Sequence, residues 1–256
     1  MTLAASFDIF VFHNNSPWLV VLGVLVGLLL ILVLLHQFKL VTISTASPRK
    51  ILAVGAHPDD LELACGATLA RLIDEGHEVH TLIMSRGEVG GDPAIRASEA
   101  RLGASMLGAA SVVVHDFPDT NLDLASREMT KAIEASIVRV GPSVIFTHSS
   151  HDQHQDHHAV HLATLRAGRS HHSILCFESP SVTKDFAPTV FFDVEDYMDV
   201  KVEAVALHRD QISGGKRYMT RDVLAGTAAF RGHQVKCRRA EAFEAVRLMP
   251  DTAGIF

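Results

Sequence analysis

Cysteine is scarce in this chain of 256 residues: Cys65, Cys176 and Cys237 stand apart at wide, irregular spacing. An odd number so placed makes neither a disulfide framework nor a CxxC zinc site, which suits a reducing compartment and leaves the three as small core hydrophobes. Positive charge is in the minority as well. Lys and Arg number 23 against 29 Asp and Glu, for a formal net charge of -6. They nowhere cluster as phosphate contacts require, so a nucleic-acid surface is excluded. The glycines of a dinucleotide-binding turn are missing too. A nicotinamide or flavin domain wants G-x-G-x-x-G after its first strand, whereas Gly55 is followed here by Ala, His, Pro, Asp and Asp, and that cofactor class falls away. No internal repeat is present, and no low-complexity tract beyond one run of histidines.

What the chain has in excess is an apolar run. Trp18 to Leu35 passes eighteen residues without a charge, and at about 1.5 Å per residue it extends roughly 27 Å, near the hydrocarbon thickness of a bilayer. The expectation is one N-terminal transmembrane helix over residues 18–38, with a tail (1–17) before it and a linker (39–49) after it. Within that linker Thr42–Pro48 is small, polar and closed by proline. A cleaved signal peptide fits less well: no Lys or Arg precedes the run, Asp8 does, and the run outlasts a usual h-region. Lys39, Arg49 and Lys50 follow it. The positive-inside bias therefore puts a domain at residues 50–256 in the cytoplasm, held at the membrane as part of a single-pass protein.

From Lys50 the pattern alternates. Lys50–Gly55 is a short apolar strand, and Glu62–Asp74 is helical, with Leu63, Ala67, Ala70 and Leu72 on a buried side and Gly76 as cap. Glu78–Met84 reads as a strand, Pro93–Leu107 as a helix ending at Gly108, and Ser111–His115 as a third strand. Ser126–Val140 is a helix stopped by Gly141-Pro142, and Ser143–Thr147 a fourth strand. This alternation makes a Rossmann-like α/β fold, a mostly parallel sheet with helices on both faces. Past Asp156 the periodicity fades. His157–Ala167 and Asp196–His208 read as helices, Ile174–Phe177 and Val190–Phe192 as short strands, and their topology stays open.

In an open parallel sheet ligands bind beyond the carboxyl ends of the strands. There the first strand empties into His57, Pro58, Asp59 and Asp60. Imidazole and carboxylate are zinc ligands, but two groups do not fill a tetrahedral site. The fourth strand supplies more: HSSHDQHQDHH, residues 148–158, holds five histidines and two aspartates in eleven positions. His57, Asp60 and one of these histidines make a metal site with a place left for water. Asp59 stands beside it to take a proton, with a protonated histidine near enough to steady an oxyanion. Two plainer pictures compete. Asp59 or Asp60 could simply cap the next helix, and His154, His157, His158 and His161, spaced i, i+3, i+4 and i+7, could line one helix face that stores or senses metal.

Residues 56–70, AHPDDLELACGATLA, resemble the first signature of the zinc-dependent N-deacetylases of the PIG-L/LmbE family, and residues 147–160, THSSHDQHQDHHAV, are similar to its second. Between them IRASEARLGASMLG (95–108) resembles the family's R-x-x-E helix, and KVEAVALHRDQ (201–211) and RRAEAF (238–243) are similar to its C-terminal segments. The resemblance runs in order through residues 50–245. It implies removal of acetyl from N-acetylglucosamine borne on phosphatidylinositol, inositol or another aglycone. It also implies Zn2+, or another divalent metal, held by His57, Asp60 and His157, with Asp59 as general base. His154 would be the positively charged group at the oxyanion, oriented by Asp156, and Arg96 would contact the substrate. Leu61 stands where the family often has Glu, and Gly66-Ala67 where it often has Gly-Gly; neither is an implied ligand, and both bear on loop shape. Glu99 reads as partner to an Arg on its own helix, His208 and Gln211 as candidates for pocket lining. Joined to the expected anchor, the implied activity points to a lipid-linked glycolipid substrate. A small soluble amino-sugar conjugate, such as a thiol-sugar or antibiotic precursor, and a non-enzymatic histidine-rich metal binder are the alternatives.

Overall fold

The computed structural model describes residues 17–37, 48–170 and 173–249, with side chains described for 17–33 in the first stretch. The chain divides into two compact units, residues 1–43 and 44–256. The expected tail and linker fall outside the described residues, apart from Pro17, Pro48 and Arg49.

In the first unit α1 (Pro17–Gln37) is helical where a helix is expected, but its membrane assignment is corrected. Among the described residues no helix is long and apolar enough to cross a membrane. The expectation of a single-pass membrane protein with its catalytic domain in the cytoplasm is withdrawn on that finding. With it goes the argument that a membrane-held domain seeks a lipid-linked substrate.

The second unit opens with β1 (Lys50–Gly55), buried at every residue after Lys50. There follow, in the expected alternation, α2 (Asp60–Asp74), β2 (Glu78–Ile83), α3 (Pro93–Leu107), β3 (Ser111–Val114), α4 (Ser126–Val140), β4 (Val144–His148) and α5 (Gln155–Ala167). The remainder is β5 (Ile174–Phe177), β6 (Val190–Asp193), α6 (Met198–Ala206), α7 (Arg209–Ser213), α8 (Arg221–Val235) and β7 (Ala240–Arg247). The sheet order is β3-β2-β1-β4-β5-β7-β6. β1 to β5 pair in parallel, and β7 runs antiparallel between β5 and β6. Strand order reverses between β1 and β4, and such a switch point opens a crevice at the carboxyl ends of those two strands.

Successive residues of the inner strands feed opposite faces. Ile51, Ala53, Val144 and Phe146 pack with residues of α2, α3, α6 and α8, whereas Leu52, Val54 and Ile145 pack with α4 and α5. Unbroken apolar strands are what a sheet covered on both sides requires.

Two departures from the expected elements matter for the site. α2 starts at Asp60 and bends at Cys65, whose φ of -139° and ψ of 16° are not helical. Glu241 of β7 fills the break: its carboxylate accepts from the N–H groups of Ala67 (3.3 Å) and Thr68 (2.7 Å), and Lys201 Nζ of α6 donates to it at 2.5 Å. An anion at the start of a helix satisfies its free N–H groups, so α2 is in effect two short helices, the first carrying Asp60 and Leu63 one turn apart. The helix expected over Asp196–His208 ends early, at Ala206, because His208 (φ -80°, ψ 61°) leaves the helical region and buries its ring.

Candidate active site

Beyond β1 the chain turns back so that the Asp60 carboxylate lies under it. Asp60 Oδ2 accepts from the N–H groups of Ala56 (3.0 Å) and His57 (2.7 Å), with Nε2 of His148, the last residue of β4, 3.1 Å away. The other oxygen, Oδ1, is 3.3 Å from His157 Nε2. Burial opposes charge on Asp60, but His157 and His148 outweigh it and hold the carboxyl well below the usual range. His148 itself stays neutral, pushed down to about 4 by burial and by His157. Asp59 takes no part in this cluster. Its Oδ1 lies 3.2 Å from Arg96 Nη2 and its Oδ2 3.9 Å from Lys216 Nζ, and it makes no side-chain cap bond to α2. Helix capping therefore does not account for the pair.

His157, in the first turn of α5, has its Nδ1 2.9 Å from Asp152 Oδ2. Asp152 is fixed in turn by the N–H of His154 (2.9 Å) and by the hydroxyls of Ser179 and of Ser181 (2.7 Å). His57 Nε2 stands 3.1 Å from both Asp119 Oδ1 and Asp156 Oδ2. Burial works against charge on both rings and is overcome: Asp119, Asp156 and Asp60 hold His57 well above the ordinary histidine value, and Asp60 and Asp152 raise His157 to about 9. Four carboxylates around two rings make a negative field that a bound cation satisfies as well as a proton does.

His154 behaves differently. Its Nδ1 accepts the N–H of Asp156 (3.2 Å), capping α5 and leaving the ring proton on Nε2. Burial, with His157 and His57 close by, lowers its pKa. With Nδ1 accepting that bond, the nitrogen left to donate is Nε2. Asp156 meets His154 through its backbone N–H, while its carboxylate binds His57 and accepts from Thr120 N–H (2.7 Å) and Leu122 N–H (3.1 Å).

The implied ligands approach one another in pairs through different oxygens of Asp60, and His57, Asp60 and His157 are not together one of the candidate triples given below. Asp60 Oδ1 to His157 Nε2 is 3.3 Å and Asp60 Oδ2 to His57 Nδ1 is 3.5 Å; neighbouring ligands of one tetrahedral zinc, each about 2.0–2.2 Å from it, stand roughly 3.3–3.5 Å apart. Among the described residues three overlapping triples offer ligand atoms within 4.8 Å of one another: His57, His154 and His157; Asp60, His148 and His157; and His57, Asp119 and Asp156. The histidines at the start of α5 do not share one environment. His154 and His157 line the cavity, His158 is exposed, and His161 is buried with Nδ1 donating to the His148 carbonyl at 2.8 Å.

A cavity of about 390 Å³ brings these groups together, with Asp59, Arg96, Asp119, His154, Lys216 and Tyr218 in its wall. That is within the range of small-molecule sites. Arg96 is seated by glycine: its Nη1 donates to the Gly87 carbonyl at 2.7 Å, and a Cβ would come within 1.9 Å of that nitrogen at Gly87 and 2.7 Å at Gly90. Glu99 is corrected from an ion-pair partner on its helix to a cap, accepting from the N–H groups of Arg209 (3.0 Å) and Asp210 (3.3 Å) at the start of α7. Gln211 donates to the Gly90 carbonyl at 3.0 Å, and His208 Nε2 lies 3.6 Å from Glu62 Oε2. Both brace the cavity wall from behind. Sequence reasoning counted His148 and Asp152 only as members of the histidine run, and passed over Asp119, Lys216 and Tyr218. Asp152 lay in view inside the histidine run and Asp119 just past the third strand, whereas the last two sit where periodicity had faded.

Residues 52–168 match the family described as PIG-L: GlcNAc-PI de-N-acetylase. Over 175 residues the chain is 40% identical to the uncharacterized deacetylase YaiS of Escherichia coli (strain K12), covering 65% of this chain and 95% of that protein. It is 28% identical over 236 residues to the diacetylchitobiose deacetylase of Thermococcus kodakarensis, 81% of this chain and 85% of that one. A solved structure, the 4-carboxy-2-hydroxymuconate hydratase GalB of Pseudomonas putida KT2440, aligns with a TM-score of 0.68 at 22% identity, over 78% of this chain and 97% of that chain, a likeness of fold alone. With both signature clusters meeting in one cavity and a deacetylase matched over nearly its whole length, this chain belongs to the PIG-L family of deacetylases.

Proposed function

We propose that the chain hydrolyses the acetamide of an N-acetylglucosamine-type sugar in a soluble conjugate, with Zn2+ held by His57, Asp60 and His157, releasing acetate and the free amine. The observation that carries the reading is the divergence of two adjacent carboxylates. Asp60 is turned into the imidazole cluster, while Asp59 is held out at the cavity by Arg96. Held by His57, Asp60 and His157, a divalent ion would polarise the acetamide carbonyl and bring the pKa of water down towards about 7. Asp59 accepts the proton of the attacking water and passes it to the departing nitrogen as the C–N bond breaks. The Nε2–H of His154 donates to the oxygen on which negative charge develops. Lys216, 3.9 Å from Asp59 Oδ2, helps keep that carboxylate facing the cavity.

A hydratase shares the fold, so the reaction is argued from the site and the relatives and not from the fold. The relatives named as deacetylases support amide hydrolysis, and the diacetylchitobiose enzyme supports an amino sugar. The experiment is release of acetate by the zinc-loaded protein from soluble and from lipid-linked N-acetylglucosaminides. Asp59→Asn should lower turnover at least about 100-fold while zinc content stays that of the native protein. Activity that survives this change refutes the mechanism, and faster turnover of the lipid-linked compound refutes the soluble substrate.

A further inference from the structure

The geometry points to a second subsite, a cavity beside the catalytic one that receives an apolar group attached at C1 of the amino sugar. The inference rests on the deacetylase reading and narrows its substrate. A cavity of about 210 Å³ adjoins the catalytic one, and Leu63, Pro180 and Tyr218 line both. Leu63 follows Asp60 by one turn of α2, so the shared wall begins about 5 Å along the helix from the reacting carboxylates. Much of the remaining wall of the second cavity is small and aliphatic, with Ala64, Val182, Leu224 and Ala228 in it beside the hydroxyls of Ser179 and Thr227.

Three charged residues also line it, and each is already committed. Glu178 accepts from Arg231 at 2.8 Å and 2.5 Å. Glu241 holds the break in α2 and pairs with Lys201 at 2.5 Å. A polar ligand would compete with bonds already made, whereas an apolar one covers aliphatic carbon and the Tyr218 ring without breaking any. The chemistry of the sugar fixes the point of attachment. Its acetamide is on C2, so with that group at Asp59 the variable substituent nearest the reacting carbon is the one on C1. C3, the other neighbour, carries a hydroxyl. The occupant is therefore an aryl or short alkyl aglycone, a ring or chain small enough for the space.

The test compares kcat/KM of the full zinc-loaded chain on methyl, hexyl and phenyl N-acetylglucosaminides, all soluble, reading released acetate. The hexyl and phenyl compounds should exceed the methyl one at least tenfold, mostly through KM, since each buried methylene contributes about fourfold. Ala228→Phe fills the cavity from α8. Thr227→Trp, at an exposed position of the same helix that also lines the cavity, covers it from the rim without touching the core. Either change should bring the ratio within about threefold and leave the methyl glycoside turned over as before. Equal kcat/KM in the native protein, or a preference that both variants leave intact, overturns the subsite alone. If the native protein deacetylates none of the three, the deacetylase reading fails and the subsite fails with it.

Discussion

His157 turns one ring nitrogen to Asp60 and the other to Asp152, a carboxylate that two serine hydroxyls and a backbone N–H hold still. A carboxylate behind a metal-binding imidazole fixes its tautomer and its aim, and losing such a partner costs about 10–100-fold in affinity. Asp152→Ala should therefore weaken zinc binding by that much in competition with a chelator; unchanged affinity would remove His157 from the ligand set. Gly103 makes a second case in which magnitude decides. Alanine for glycine inside a helix normally stabilises by about 1 kcal/mol. Here a Cβ would stand 2.6 Å from Glu62 Oε1 and 3.1 Å from His208 Nε2, both buried, and overpacking of that kind costs about 1–3 kcal/mol. Gly103→Ala should lower the melting temperature. At this scale the sequence was legible where residue type is diagnostic, as with imidazoles and paired carboxylates at strand ends. It was illegible where meaning depends on a contact only the fold makes. The proton of His154 is settled by the N–H of Asp156, and Asp119 reaches His57 from the loop after another strand.

The elements divide along the same line. β1 to β4 and the helices between them could be read because a strand buried on both faces is a short apolar run, and because Gly108 (φ 92°) and Gly141 (φ 63°) close their helices in the left-handed conformation that glycine favours. α8 and β7 could not. α8 leaves Val223, Phe230 and Val235 exposed and has Leu224 and Ala228 inside, so no clean stripe appears. In β7 the acidic Glu241 points inward to serve α2, which spoils the alternation of polar and apolar residues by which a half-buried strand is recognised. The two glycines of α8 give opposite predictions. A Cβ at Gly226 meets open space, so Ala there should stabilise by about 0.5–1 kcal/mol. At Gly232 a Cβ would lie 2.7 Å from the backbone of Arg238 and of Arg239, which cannot swing aside as a side chain can, and Ala should destabilise by about 1–3 kcal/mol. Thermal unfolding of the two variants should shift in opposite directions.

Across the whole molecule, α1 forms where its composition directs, yet among the described residues no helix is long and apolar enough to cross a membrane. The candidate ligands come from opposite sides of the switch point, His57 and Asp60 after β1 and His157 after β4. A metal bound to all three would tie together segments far apart in sequence. Zinc at about 100 times its dissociation constant should add about 2.7 kcal/mol of stability, or roughly 5–10 °C in melting temperature for a unit of this size, and a chelator should reverse the gain. An unaltered melting curve would argue against a shared metal. The contact between Glu241 and α2 has a further consequence, in time. The N–H groups of Ala67 and Thr68 are made early, and the carboxylate that satisfies them belongs to the last strand. At about 5–20 residues per second on the ribosome, roughly ten to thirty seconds separate the two. By the end of that interval the nascent chain holds every candidate ligand but still lacks the carboxylate that caps the second half of α2, behind the turn that carries Asp60. A chain stalled short of β7 would carry the whole signature of the family and no finished site.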